Sequence, residues 1–439
     1  MDATTLFIVG LFLLVACAVI AGEAVSRLGQ LPMVGQLIVG IVFGPTLLGP
    51  ALGLGGLPAL FQGVQFLATF FILMAAGLAV TPQQLRATVT ASGLLGLAIF
   101  VVPFVTGVGV IRLLFPAEPW MTDLFFSLAI SITALPVLGV MLREFHLLDS
   151  RFGTFLLNGA LVNELFAVTV FAILLRVRSG TGSVDVGIAV AIVSVGLFLG
   201  AVLAAHSLLR WLRTSRLWQR LTAQVRDHWH SREAGFAVLM AAALGAALFS
   251  QYLGLTFLVG AFYAGLLVTP ESAGRKGHRT LTAVFDTITW GFFIPLFFAL
   301  VGLSMNLRLI GLSPIALAVF AALCVFAFAS KALLGGALTR ALGWSRNEAA
   351  GAAFLVSSRG AVELAMAVIL LSLGVFTPTI FTIVAGVGLV TTFLAPIGAR
   401  PFVRSVPAAR RTAGTGLDEF RLDSSVPPRP GRHDEPEGA

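Results

Sequence analysis

The chain has 439 residues, 58% of them hydrophobic and 11% charged, with a mean hydropathy of +0.98. This lies far outside the range of soluble globular domains and marks an integral membrane protein. Cys17 and Cys324 sit far apart in apolar runs, which argues against a disulfide framework or a cysteine metal cluster. The net charge of +8 does not point to nucleic acid, because Arg and Lys flank apolar segments instead of forming one patch.

A spanning helix needs about 20 mainly apolar residues. On that basis the chain reads as an all-α membrane protein of about thirteen transmembrane helices, near 4–26, 31–49, 58–80, 89–115, 120–142, 151–175, 184–212, 233–250, 253–269, 280–304, 311–341, 347–373 and 376–402. The first segment lacks a basic leader and a cleavage site, so it is read as retained. With the N-terminus outside, seventeen Arg and Lys residues, from Arg27 to Arg404, fall on cytoplasmic connections. Only Arg112, Arg176, Arg178 and Arg308 fall on the outer side. An odd number of spans then leaves the C-terminus cytoplasmic, as expected of a multi-pass protein of the cell membrane.

Between the halves, "LLRWLRTSRLWQRLTAQVRDHWHSRE" sets Arg210, Arg213, Arg216 and Arg220 opposite Trp211, Leu217, Trp218, Leu221 and Val225. This reads as an amphipathic linker lying in the interface near 207–232, with a basic solvated connection as the other reading. The transmembrane part is expected over 1–404. The tail, 405–439, is rich in Pro, Gly and charge and is expected to be disordered.

Charged side chains at the bilayer centre cost about 2.5–3.5 kcal/mol on insertion scales, so they tend to face the bundle interior and to be functional. Five stand out: Glu23, Glu164, Lys331, Arg359 and Glu363. Glu23 is near the end of its span, where it can snorkel. Glu164, in "NGALVNELFAVTVFAILL", is about a dozen residues from Arg151 and from Arg176, out of reach of either surface. Its alternatives are an exchange site and a buried ion pair with Lys331 or Arg359. Arg359 and Glu363 are four apart and read as a structural pair bracing a broken helix. The breaks themselves are signalled by "FFSLAISITALPVLGVML", with Ser131, Thr133 and Pro136, and by "AAFLVSSRGAVELAM", with Ser357, Ser358 and Gly360. Matching interruptions in two halves point to inverted repeats with a site at the midplane. A carboxylate in such a place can exchange a proton for a hard cation, and Asn163 beside it adds a carbonyl ligand without charge.

At these residues the chain resembles the second branch of the monovalent cation:proton antiporter family, which includes bacterial sodium/proton and potassium/proton exchangers and plant cation exchangers. "LPMVGQLIVGIVFGPTLLG", "FFILMAAGLAV", "SITALPVLGVMLREFHLL", "GLTFLVGAFYAGLLV", "GFFIPLFFALVGLSMNL" and "SSRGAVELAMAVI" carry the resemblance in order. It implies a sodium/proton antiporter-like fold: a core with crossed, broken helices, a panel that forms a homodimer, and an elevator-like shift between them. The family's acidic pair falls on Asn163 and Glu164. An Asn first member resembles the electroneutral pattern, and Glu in place of Asp lengthens the acid by one methylene. The implied roles are cation and proton binding at Asn163, Glu164, Thr133 and Ser131, charge balance or bracing at Lys331, Arg359 and Glu363, and helix breaks at Pro136 and Gly360.

The expected partners are H+, a monovalent cation (Na+ or K+) and the lipid bilayer, with no cofactor and no nucleic acid. The alternatives are proton-coupled efflux of an organic ion or cation–ionophore complex, and a channel-like or non-transporting sensor. No nucleophile–base constellation suggests an enzyme, and His146, His206, His228 and His230 fall at helix ends or in loops.

Overall fold

The computed structural model describes residues 3–51, 61–78, 91–148, 150–179, 184–214, 232–268, 275–311 and 313–403. Within these the regular structure is helical: α1 (Ala3–Arg27), α2 (Pro32–Phe43), α3 (Gln62–Leu78), α4 (Ala91–Leu114), α5 (Trp120–Ser131), α6 (Leu135–Glu144), α7 (Arg151–Ser179), α8 (Val184–Thr214), α9 (Arg232–Tyr252), α10 (Phe257–Leu267), α11 (Arg275–Ile288), α12 (Ile294–Ser304), α13 (Pro314–Ala341), α14 (Arg346–Leu355), α15 (Ala361–Ser372) and α16 (Pro378–Val403). A π-helical turn, Thr289–Phe293, joins α11 to α12. Single turns at Leu48–Ala51 and Arg308–Gly311 complete the set.

Local chemistry sets the starts. Pro32 and Pro314 open α2 and α13, where a missing N–H costs nothing. Thr256 and Ser313 cap α10 and α13, and Ser345 with Glu348 forms a reciprocal capping box on α14. Large apolar side chains such as Phe12, Ile20, Val105 and Leu333 remain exposed, as a lipid-facing surface requires.

Among the described residues, nine stretches are long and apolar enough to cross a membrane by length and composition, against the thirteen expected. Gln62–Leu78 and Phe257–Leu267 are apolar but shorter than a full span. The expected amphipathic linker is helical as far as Thr214, where α8 ends. Its remainder, 215–231, and the tail lie outside the described residues. Glu23 is on the exposed face of α1, paired with Arg27 at 3.0 Å.

All helices but α8, which packs on α7 and touches α10, sort by packing into two groups. In one, α4, α5, α6, α7, α13, α14, α15 and α16 surround both breaks; in the other, α1, α2, α3, α9, α10, α11 and α12 pack together. The second group is closed by two alike crossings, α2 on α12 and α3 on α10. At the first, a Cβ on Gly40 would stand 1.9 Å from the Ala299 carbonyl oxygen, and one on Gly302 2.1 Å from that of Leu37. At the second, a Cβ on Gly77 would stand 1.9 Å from the Phe262 oxygen, and one on Gly265 2.2 Å from that of Met74. Backbone meets backbone at both, so no side chain fits.

Both expected breaks are present. Residues 132–134 are non-helical between α5 and α6, and residues 356–360 between α14 and α15. The two unwound stretches touch: Ala134 N–H donates to Ser358 O at 3.4 Å and the Thr133 hydroxyl to Val356 O at 2.9 Å. Gly360 lies in the second break, where a Cβ would be 2.4 Å from Val137 Cγ2 and 2.9 Å from Ala134 Cβ. Pro136 does not sit in the first break as the sequence suggested. It is the second residue of α6, and its ring opens the second half-helix from just below the gap.

The glycine crossings give a direct expectation. Gly302→Ala lowers stability by about 1–3 kcal/mol through overpacking against backbone, read as a drop in detergent melting temperature. Gly109→Ala, where nothing stands within 4 Å, leaves it unchanged.

Candidate functional site

Breaking a helix inside a membrane strands the last carbonyls of the first half and the first N–H groups of the second. Buried side chains answer nearly every one of these around 132–134. On the amino side of α6, Thr133 N–H donates to Asn163 Oδ1 at 2.7 Å and Leu135 N–H to Glu164 Oε2 at 3.1 Å. Asn163 Nδ2 turns back to donate to Ser131 O at 3.0 Å. One α7 turn thereby splints both sides of the gap, with Glu164 at the positive end of α6.

The carboxyl end of α5 takes the cations. Lys331 Nζ, from α13, donates to Ile132 O and to Thr133 Oγ1, the latter at 2.8 Å. Arg359, from the second break, donates to Ala129 O at 3.0 Å, to Ile130 O, and to Ala327 O at 3.3 Å. Positive charge at the negative end of a half-helix is electrostatically favourable. Thr392 holds Arg359 from behind, its hydroxyl accepting from Arg359 N–H at 3.0 Å and donating to Arg359 O at 2.9 Å.

Asn163, Glu164, Thr133, Lys331, Arg359 and Glu363 are thus gathered at the two breaks, all fully buried. Two contacts that the sequence raised, one as an open alternative and one as a structural pair, take another form. Among the described residues Lys331 makes no ion pair with Glu164, its ammonium being committed to backbone and Thr133. Arg359 does pair with Glu363, at 3.4 Å, but from unwound chain and not along a continuous helix, and most of its donors go to carbonyls. The Ser131 hydroxyl points away from Glu164, donating to Ser127 O one turn back at 2.7 Å, so only its carbonyl serves the site.

One atom is left over at the first break. Glu164 Oε1 is buried and has no hydrogen-bond partner. Its sister oxygen is fixed by Leu135 N–H, so the free oxygen is held in place beside an unwound backbone. An oxygen donor of this type suits a hard cation or a proton. Among the described residues no three His, Cys, Asp or Glu side chains converge.

Sequence reasoning passed over several carboxylates within its expected spans, among them two that the structure sets in the field of an arginine. Asp123, in the first turn of α5, pairs with Arg112 at 2.6 Å across the preceding turn. Asp286 of α11, just before the π-turn, lies in the field of Arg143 from α6. The signal for Asp123 was present in the spacing Arg112–Asp123 around Pro116 and Pro119.

Residues 11–405 match the family of transmembrane sodium/hydrogen exchangers. The chain is 29% identical over 415 residues to the Na(+)/H(+) antiporter NhaS4 of Synechocystis sp., covering 90% of this chain and 97% of that protein. It is 26% identical over 437 residues to K(+)/H(+) antiporter 1 of Saccharomyces cerevisiae, covering 91% of this chain and 48% of the longer yeast protein. The fold is shared with the sodium proton antiporter MjNhaP1 of Methanocaldococcus jannaschii, at a TM-score of 0.69, 13% identity, and coverage of 94% and 100% of the two chains. With nearly the whole membrane part matched, the chain belongs to the sodium/hydrogen exchanger family.

Proposed function

We propose that this protein is a secondary active transporter that exchanges a monovalent cation, K+ or Na+, for protons, with Glu164 as the exchange carboxylate. The observation that carries this reading is the unpartnered Glu164 Oε1, buried at the crossing of two broken helices. An ionised carboxylate with a bare oxygen is costly in a dry interior. A proton or a cation at that oxygen relieves the cost, and the two cannot occupy it together. Competition for one oxygen is the physical content of exchange. The relatives described as Na(+)/H(+) and K(+)/H(+) antiporters support the same reading.

In this reading Asn163, Thr133 and the Ser131 carbonyl position the break, while Lys331 and Arg359 hold the carbonyl end of α5 and leave Glu164 free for its ligand. The group that carries both breaks moves as a unit against the group built on the glycine crossings, an elevator-like cycle that exposes Glu164 to each side in turn. The N-terminus lies outside and the C-terminus in the cytoplasm, following the basic residues of the connections.

Three outcomes are expected in proteoliposomes holding a pH gradient. Wild-type protein dissipates the gradient when Na+ or K+ is added, and Glu164→Gln does not; a Glu164→Gln variant with wild-type flux contradicts the assignment. Glu164→Asp withdraws the carboxylate from Leu135 N–H. Losing one hydrogen bond to a charged group is worth about 1.5–3 kcal/mol, so its apparent KM for the cation rises roughly ten- to a hundredfold. Lys331→Ala unties α13 from the break and lowers the melting temperature, while cation-dependent flux survives at a reduced rate.

A further inference from the structure

Resting on the cycle proposed above, in which the group with the breaks moves against the other, we infer that Arg400 is a gating residue. Its hold on the Gly29 carbonyl clasps the two groups at the cytoplasmic end, with Arg143 and Asp286 as a second tie, and the clasp must open before the cation site can face the cytoplasm.

Three helix ends of one sign meet here. Arg143 falls in the last turn of α6 and Arg400 in the last turn of α16, while α1, from the second group, finishes just before Gly29. Carboxyl ends of helices carry partial negative charge, so their meeting calls for cations. The end of α1 closes on itself first: Gln30 N–H donates to Val25 O at 3.2 Å and Gly29 takes a φ of +73°. Arg400 Nη2 then donates to Gly29 O at 2.6 Å, across the seam between the groups. A charge-assisted bond of this kind is roughly twice as strong as a neutral one.

Gly29 is needed twice over. The turn requires its positive φ, and a Cβ there would stand 2.1 Å from Arg400 Nη2, in the place of the guanidinium.

Charges alternate along the seam. Asp286 of α11 lies in the field of Arg143, and Glu144, next to Arg143 in sequence, lies in the field of Arg400. In both ties the cation belongs to the group with the breaks and the acceptor to the other group, so sliding one against the other separates opposite charges at two places. The far end of α16 is held differently. There Asn306 N–H donates to the Thr382 hydroxyl at 3.1 Å, a neutral link about 27 Å along the helix from Arg400. One helix thus carries a strong tie at one end and a weak one at the other.

Arg400 therefore acts on which face the empty carrier presents, and Glu164 on what it carries. With the clasp shut, the form open to the cytoplasm is a minor population, and binding from that side is weakened by the fraction in that form.

The test is the apparent KM for Na+ or K+ at each face, measured in right-side-out and inside-out membrane vesicles holding a pH gradient. Arg400→Gln releases the clasp. Losing a bond of this class shifts an equilibrium about tenfold, so the cytoplasmic KM falls by up to about tenfold while the outer KM does not fall. Gly29→Ala displaces the guanidinium without removing charge and moves both values the same way; Arg400→Lys keeps a charged donor and stays closer to wild type. A merely structural contact would lower the melting temperature and leave the ratio of the two KM values as in wild type. That result, or a fall confined to the outer face, overturns the inference while leaving exchange at Glu164 standing. Wild type that moves no protons with any cation overturns the exchange reading itself. Should Arg400→Gln fail to fold, Asp286→Asn decides, since it keeps the shape of the side chain and leaves α1 untouched. A lower cytoplasmic KM supports the inference, and an unchanged one overturns it.

Discussion

Everything at the centre of this protein follows from one constraint: a helix that stops in the middle of a membrane leaves backbone groups that water cannot reach. The gap at 132–134 exposes carbonyls on one side and N–H groups on the other, and each unsatisfied group costs several kcal/mol in hydrocarbon. Buried polar residues are therefore obligatory there, and their signs are dictated by the end they serve. Lys331 and Arg359 meet the carbonyls of α5; Asn163 and Glu164 meet the N–H groups of α6. Charges that composition alone marks as anomalous are the ones that allow the break to exist.

The same constraint separates holding from binding. Asn163 uses both its amide groups on the backbone and Lys331 is committed to Ile132 and Thr133, so these residues shape the gap. Glu164 spends one oxygen on Leu135 and keeps the other. The proposed exchange site, which must release its ligand, needs such a division. Rigid neighbours define a position, and one under-satisfied atom supplies a reversible affinity.

Around this centre the helices divide according to what they must withstand. The group with the breaks is tied by hydrogen bonds from α7, α13 and α16. The other is closed by glycine crossings in which backbones touch and little can slide. Contacts between the groups are sparser and end in small polar links, such as the Arg400 guanidinium to Gly29 O at 2.6 Å and Asn306 N–H to the Thr382 hydroxyl at 3.1 Å. Two stiff bodies joined by few polar contacts suit the proposed relative motion better than internal bending.

Much of this was legible in the sequence, because length and hydropathy report helices directly and a carboxylate deep in an apolar run, out of reach of either surface, stands out. Glu164, Arg359 and the paired Ser/Gly interruptions were visible for that reason. What stayed hidden depends on distance. The sequence shows Lys331 and Glu164 as opposite charges, while only the fold shows that the ammonium goes to carbonyls. Pro136 marked the break but not its register, since a proline is tolerated just inside the helix it begins. Thr392 is one hydroxyl among many in apolar spans, and nothing local announces that it holds Arg359. The most direct measurement is a structure of the protein loaded with thallium, a heavy stand-in for a monovalent cation. Thallium density within coordination reach of Glu164 Oε1 is the expected result. Stoichiometric thallium bound elsewhere, with that oxygen left bare, would contradict the account.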